Sequence, residues 1–285
     1  MRPLSLSSAP TAAGSRLRVA TYNIHKGVRG IGPLRRLEIH NLSQAVETLD
    51  ADLVFLQEVQ HVHRAEARRF GRGAGGWPQE GQAEFLAPEG YDAVYRSNAV
   101  TRHGEHGNAL LSRWPLGEPN HRDVSDHRFE QRGLLHVPVR WAGLTLEAVV
   151  VHFGLSHASR VRQVQRLLQF IEREVDPAAP LLVAGDFNDW GERLDPSLRA
   201  AGLSRAVAPM LVQGGEGSPG SQGGPDTRPP LGLTFPSLAP LFALDRIYTR
   251  GLGCASVFVP RGSHWARMSD HLPLVAEFER PVAAP

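Results

Sequence analysis

The chain has 285 residues, enough to bury a sizeable core, and its 41% hydrophobic and 21% charged composition is that of an ordinary globular protein. Its formal net charge of +2 comes without a dense basic run, so a phosphate-bearing partner is tolerated but not demanded. A single cysteine, Cys254, excludes an internal disulfide framework and a cysteine-built zinc site, and no apolar run reaches the roughly 18 to 20 residues of a membrane-spanning helix.

Along the chain, residues 1–16 have no continuous apolar core and make a poor secretory signal; they read as a flexible tail on a cytoplasmic protein. The first strand signal, Leu17–Ile24, runs into "TYNIHKG", where Lys26 is the only lysine of the sequence. Next, Leu37, Leu42, Val46 and Leu49 recur at helical spacing, and the short apolar run Leu53–Leu56 leads to Glu58. Residues Phe70–Gln82 are glycine-rich and lack periodicity, which predicts a loop carrying Trp77. Arg132 precedes the alternating strand "GLLHVPV". The strand Leu144–His152 is then followed by a helix in which Val161, Val164, Leu168 and Ile171 form one stripe and Ser156 or Ser159 caps the start. The run Pro180–Ala184 delivers Asp186 and Asn188. A Gly/Pro-rich segment, Val212–Gly232, is long enough to be a mobile loop, and strands follow at Leu244–Thr249 and Leu272–Phe278 before a short tail at 281–285.

The two halves repeat one plan. "RVATYNIH", a helix and "DLVFLQEV" are echoed by "EAVVVHFG", a helix and "PLLVAGDFND". In each strand the polar residues sit just past the apolar core, so they collect on one rim where loops assemble a site. Strands with helices outside them, in two similar halves, predict two sheets packed face to face and covered by helices, within one domain over 17–280.

Each candidate residue has a plain structural alternative. Asp186 and Asn188 suit metal binding, proton transfer from water or a grip on a phosphoryl oxygen, but Asp/Asn turns after strands are common. Glu58 closes an apolar run and needs a cation, whether a metal or a structural arginine. Asp245 in "ALDRIYTRG" and Asp270-His271 in "MSDHLPL" could form an Asp–His pair that fixes a tautomer, while Ser269-Asp270 could simply cap a strand. His152 alone is a core histidine; its weight comes from Asn23, Glu58, Asp186 and Asn188 at equivalent strand tips. A second Ser-Asp-His, at Ser125–His127, is followed by charged residues and reads as a solvated loop. Because oxygen ligands dominate, Mg²⁺ or Mn²⁺ fits better than zinc.

The ordered set "TYNIH", "FLQEV", "GNALLSRWPL", "VVVHFG", "AGDFND", "LDRIY" and "SDHLPL" resembles the endonuclease/exonuclease/phosphatase superfamily, from about Arg18 to Phe278. The resemblance implies an α/β fold, a four-layer α/β/β/α sandwich of two mostly antiparallel sheets. It implies Glu58 as principal metal ligand, with Asn23 and Asp270 beside it. It gives Asp186 the task of orienting or deprotonating water, Asn188 the phosphoryl oxygen, His152 and His271 the phosphate charge, and Asp245 the orientation of His271. Arg132 and Asn108 would contact substrate phosphate, and Glu105 would orient His152. Lys26, with His25 beside it, leaves the sheet where a compact ammonium could hold a phosphate.

The reaction so implied is metal-assisted, in-line attack of water on a phosphodiester of nucleic-acid or phospholipid type. A phosphomonoesterase acting on inositol phosphates or nucleotides is the alternative. A non-catalytic phosphate-binding module is disfavoured because all the carboxylates are present. A lipid head group would call for an apolar rim, for which Pro229–Leu244 is the candidate segment. Nothing in the sequence calls for an obligate protein partner, and a monomer is the expectation.

Overall fold

The computed structural model describes residues 16–71, 75–207 and 232–280. The tails expected at 1–16 and 281–285 and the loop expected at 212–232 lie outside the described residues, apart from Arg16 and Gly232 at their borders.

Strands are numbered along the chain. One sheet contains β1 (Arg16–Asn23), β4 (Leu53–His63), β5 (Asp92–Thr101), β6 (Gly104–Ser112), β13 (Gly253–Phe258) and β14 (Leu274–Glu279), in the order β13-β14-β1-β4-β6-β5. The other contains β7 (Asn120–Asp123), β8 (Gly133–Trp141), β9 (Leu144–His152), β10 (Leu181–Asp186), β11 (Ser204–Arg205) and β12 (Asp245–Arg250), in the order β11-β12-β10-β9-β8-β7. A two-stranded ribbon, β2 (Val28–Arg29) with β3 (Arg36–Leu37), stands apart. Helices α1 (Ile39–Leu49), α2 (Arg64–Phe70), α3 (Gln82–Leu86), α4 (His157–Glu174), α5 (Asp195–Ala200) and α6 (Trp265–Met268) complete the described chain.

The repeat in the sequence is a repeat in space. Each sheet has one parallel pair at its centre, β1 with β4 and β9 with β10; the remaining pairs are antiparallel. A parallel pair needs a crossover, and α1 and α4 supply the two. Side chains alternate across each strand, so Leu17, Val19, Leu53, Phe55, Leu146, Ala148, Leu182 and Ala184 meet in one core between the sheets. Their neighbours point outward, Ala20, Tyr22, Val54 and Leu56 toward α1 and α3, and Val149, Val151, Leu181 and Val183 toward α4 and α5. Burial on both faces is why these strands read as nearly unbroken apolar runs. The result is the expected four-layer α/β/β/α sandwich.

One expectation about local structure changes. The buried face of α4 holds Arg160, Gln163, Val164, Leu167, Phe170 and Ile171, while Val161 is exposed and Leu168 only partly covered. The helix is turned by its polar contacts: Gln163 Oε1 accepts from Gly154 N at 2.8 Å, and Arg160 Nη1 donates to Leu155 O at 2.6 Å. These bonds pin the chain just after His152. The loop expected at Phe70–Gln82 is bounded by α2, which ends at Phe70, and α3, which begins at Gln82, and its Trp77 is buried against Phe70. Ser156 caps α4, accepting from Ser159 N at 3.1 Å, one of the two capping choices the sequence left open.

Phe55 is fully buried between the sheets. Phe55→Ala is expected to lower unfolding free energy by about 3–5 kcal/mol in urea titration with little change in slope. A loss below about 1 kcal/mol would contradict the tight packing of the two sheets.

Candidate active site

The ends of β1, β4, β9 and β10 and the approaches to β12 and β14 converge on one rim. Asn23, His152 and Asp186 end strands of continuous register, whereas Glu58 and the turn after β1 depart from regular structure. In β4 the pairing with β6 slips between Leu56 and Val59, and Glu58 at this bulge has φ +57°. Non-glycine residues rarely adopt that conformation, and here it turns a carboxylate out of the ladder toward the rim. After β1, His25 (φ +46°), Lys26 (φ +62°) and Gly27 (φ +70°) form a tight turn. A Cβ on Gly27 would lie 2.7 Å from Gln82 Nε2 and 2.9 Å from Ile39, so only glycine fits. Gln82 holds the turn against β4: its Nε2 donates to Lys26 O at 2.9 Å and its Oε1 accepts from Gln60 N at 2.9 Å.

Asp186, the last residue of β10, is buried, and its Oδ2 is the meeting point of both sheets. Asn23 Nδ2, from β1, donates to it at 3.1 Å. His152 Nε2 lies 3.6 Å away and His271 Nε2 3.7 Å away. Its Oδ1 accepts from Asn188 N at 2.8 Å, where Asn188 has φ +48°. The other nitrogen of His271, Nδ1, is 2.8 Å from Asp245 Oδ2. Four of the sequence-selected groups, Asn23, Asp186, Asp245 and His271, thus form one chain of contacts, with His152 at its side.

The electrostatics separate the two histidines. Burial disfavours the His271 imidazolium, but the carboxylates of Asp245 and Asp186 outweigh it and push its pKa up to about 10. Burial, joined by the positive charges of Arg132, His271 and Lys26, holds His152 well below its ordinary value. At neutral pH the site therefore carries one charged and one neutral imidazole. Burial also raises Asp186, to about 6, against the opposing charge of His271.

A second acidic group lies beside the first. His25 Nδ1 is 3.2 Å from Asp270 Oδ2 and 4.0 Å from Glu58 Oε2, and Lys26 Nζ is 3.4 Å from the same Glu58 oxygen. Burial raises the Glu58 pKa, yet Lys26 and His25 together bring it below its ordinary value. Glu58 Oε2 is buried and accepts no hydrogen bond among the described residues. Two sets could therefore hold a cation: Glu58 with Asp270, and Asp186, Asp245 and His271, whose ligand atoms lie within 4.8 Å of one another.

Other sequence candidates are placed differently. Asn108 is fully buried, and its Nδ2 donates to Gly133 O at 2.9 Å and Val150 O at 3.4 Å. It ties the two sheets beneath the site, and its amide hydrogens are spent on backbone rather than phosphate. Glu105 stands opposite Val100 near the β5–β6 turn and makes no hydrogen bond to His152; the carboxylate nearest His152 is Asp186. Arg132 is at the rim, with Nε on Phe153 O at 3.2 Å and Nη2 on Glu130 at 3.3 Å. The Asn188 amide donates one hydrogen to Phe153 O at 2.9 Å, which leaves the other available. Asp126 is not loosely solvated: Arg162 grips both of its oxygens and the Ser159 hydroxyl donates at 2.8 Å, fixing the start of α4.

Three contributors escaped sequence reasoning. Ser269 Oγ donates to Asn23 O at 2.7 Å and joins the β14 approach to the β1 tip. His106 lies near Lys26, Glu58 and Arg132, and only its place in "EHGNALL" hinted at it. Arg246, fully buried, donates from Nη1 to Asp189 Oδ2 at 2.9 Å and from Nη2 to Asp189 O at 2.6 Å, clamping the loop that follows Asn188.

Residues 20–271 match the sequence profile of the Endonuclease/Exonuclease/phosphatase family. The chain belongs to that family. Family membership makes it a phosphoester hydrolase. Among its relatives is the uncharacterized Escherichia coli (strain K12) protein YbhP, 35% identical over 264 residues that cover 91% of this chain and 95% of YbhP. An endonuclease/exonuclease/phosphatase from Beutenbergia cavernae superposes with a TM-score of 0.67 at 18% identity, covering 93% of this chain and 72% of that one. The human Nocturnin catalytic domain, solved with a bound sulfate anion, gives 0.66 at 20% identity, covering 93% and 94%. At such identities the two structures speak for the shared fold.

The Asp245 carboxylate is what sustains the charge on His271. In Asp245→Asn, NMR titration of the His271 ring is expected to show its pKa falling markedly from about 10. An unchanged value would mean that Asp186 alone holds the proton.

Proposed function

We propose that this family member hydrolyses a phosphodiester with a divalent cation, Mg²⁺ in the first instance, by in-line attack of water. The observation that carries the proposal is the convergence on Asp186 Oδ2 of groups from both sheets: Asn23, His152 and His271. A buried carboxylate with pKa near 6, fixed by hydrogen bonds on both oxygens, is suited to orient a water and take its proton. Charged His271, held by Asp245, supplies positive charge to the phosphate oxygens without needing rearrangement. Neutral His152 offers a hydrogen bond from the opposite side of Asp186. The spare hydrogen of the Asn188 amide, together with Arg132 and Lys26, contacts the anionic ester.

The cation is best accommodated by Glu58 and Asp270, with Asn23 close by. Both nitrogens of His271 already face carboxylates, so that ring could join a metal only by giving up a proton. Glu58 Oε2, by contrast, accepts no hydrogen bond and is faced only by the ion-pair partners Lys26 and His25, and oxygen-only ligands favour a hard ion. Bound there, Mg²⁺ would neutralise a phosphate oxygen and the charge developing on the leaving group. Within this reading the enzyme acts in the cytoplasm as a monomer without an obligate protein partner. Among the described residues no helix is long and apolar enough to cross a membrane.

Glu58→Gln and Asp186→Asn are each expected to lower turnover of a generic phosphodiester by about 10²–10⁴-fold while the fold is kept. Chelation should abolish wild-type activity and added Mg²⁺ restore it; activity that survives chelation would overturn the metal assignment. The pH dependence has a defined sign. Asp186 acts as a base only when ionised, so kcat/KM is expected to fall as pH drops through about 6. A flat profile from pH 5 to 8 would remove Asp186 from that role.

A further inference from the structure

The rim that carries the site also carries most of the exposed large apolar side chains. Of the eleven such residues described, only Val161, on the outer face of α4, and Phe258, on edge strand β13 with Arg18 against its ring, lie away from the rim loops. Ile31 (89% exposed) and Leu34 follow β1. Phe129 (82%) lies between β7 and β8, Leu155 after β9, and Leu238 (73%) and Leu241 just before β12. Trp190 follows β10, and Val62 and Val100 flank the turn in which β5 and β6 extend past Glu58. Exposed apolar residues scattered over a surface need no explanation; nine gathered at one end of the sandwich do.

Charge follows the same distribution. Arg102 and Arg128 are exposed on these loops, and Arg261 and Arg267 on the neighbouring connection from β13 to β14; none forms an ion pair among the described residues, and Arg128 packs its guanidinium 4.6 Å from the Phe129 ring. Several acidic groups of the same loops are turned to partners: Glu66 to Arg35, Glu130 to Arg132, Glu192 to Arg205 and Asp270 to His25. Exposed Glu80 and Asp123 at this end also form no ion pair among the described residues, but the exposed unpaired arginines outnumber them, so the outward aspect of the rim is apolar and cationic on balance.

We propose that this rim docks on an anionic phospholipid bilayer, with the apolar tips in the acyl boundary and the arginines at the head groups. The tips belong to separate loops rather than to one groove, which suits a fluid planar medium better than a shaped protein partner. Most are aliphatic (Ile31, Leu34, Leu155, Leu238, Leu241) and offer no ring face on which a nucleic-acid base could stack. Arginines among apolar tips add electrostatic attraction to anionic lipids. Docking does not depend on which ester is cut. It would, however, bring the site against phosphate esters at a membrane surface, and in that respect it rests on the phosphoesterase reading.

The test is co-flotation of the full chain with phosphatidylglycerol-containing vesicles and with pure phosphatidylcholine vesicles, run beside hydrolysis of a soluble phosphodiester. The wild type is expected to float with the anionic vesicles and to be released by salt. Leu238→Ser/Leu241→Ser is expected to reduce the bound fraction by roughly tenfold, and Ile31→Ser/Leu34→Ser similarly, with soluble hydrolysis unchanged. Should either pair impair folding, Phe129→Ser is the third variant. Absence of wild-type flotation, or equal flotation by all variants, would overturn the proposal, as would variants that lose oligonucleotide binding but keep vesicle binding. Loss of soluble hydrolysis in Asp186→Asn with flotation intact would separate the docking surface from the chemistry.

Discussion

The structure turns on charge buried at the seam between two sheets. Asp186 and Asp245 are buried, with His271 ordered between them. An isolated buried carboxylate would be costly, and an isolated buried imidazolium likewise, so neither tolerates loss of the other. The two acids come from neighbouring strands, β10 and β12, at paired positions, while the histidine arrives on the approach to β14 in the opposite sheet. A displacement of either sheet would break this balance. The same contacts that poise the site therefore fix the register of the sandwich at its rim.

The surrounding frame is arranged to hold that balance without help from the reacting molecule. Asn23 reaches Asp186 across the seam, Ser269 holds the Asn23 carbonyl, and Arg246 clamps Asp189 one residue beyond Asn188. Positive-φ positions at His25, Lys26, Glu58 and Asn188 cluster on the same rim. Backbone in such conformations persists only where its surroundings over-determine it, and the Gln82 bonds and the Glu58 bulge are those surroundings. Preorganised dipoles and charges of this kind contribute most where water is excluded.

Much of this was legible in the residues themselves. Nearly unbroken apolar runs ending in Asn23, Glu58, His152 and Asp186 announced doubly covered strands with polar tips, because only burial on both faces removes alternation. The phase of α4 was not legible: its inward face is chosen by Arg160 and Gln163, polar residues that a hydrophobic stripe leaves out. Asn108 misled for a related reason. Its motif pointed to the site, but whether an amide faces substrate or the backbone of the other sheet is decided by distance across the seam. The clustering of apolar tips was equally hidden, since Ile31, Phe129 and Leu238 are far apart in sequence and share only the end of the sandwich.

Lys26 shows how a single position can answer to several of these constraints together. Its backbone is left-handed, its carbonyl is bound by Gln82, and its ammonium lies 3.4 Å from Glu58 Oε2. At that spot a guanidinium would spread over a plane and seek two acceptors, whereas Glu58 shares its neighbourhood with His25 and Asp270. A compact ammonium on a flexible stem can neutralise Glu58 and still swing toward an incoming phosphate. In a chain whose other long cations are all arginine, the need for a mobile point charge beside a carboxylate is a physical reason for lysine at this one position.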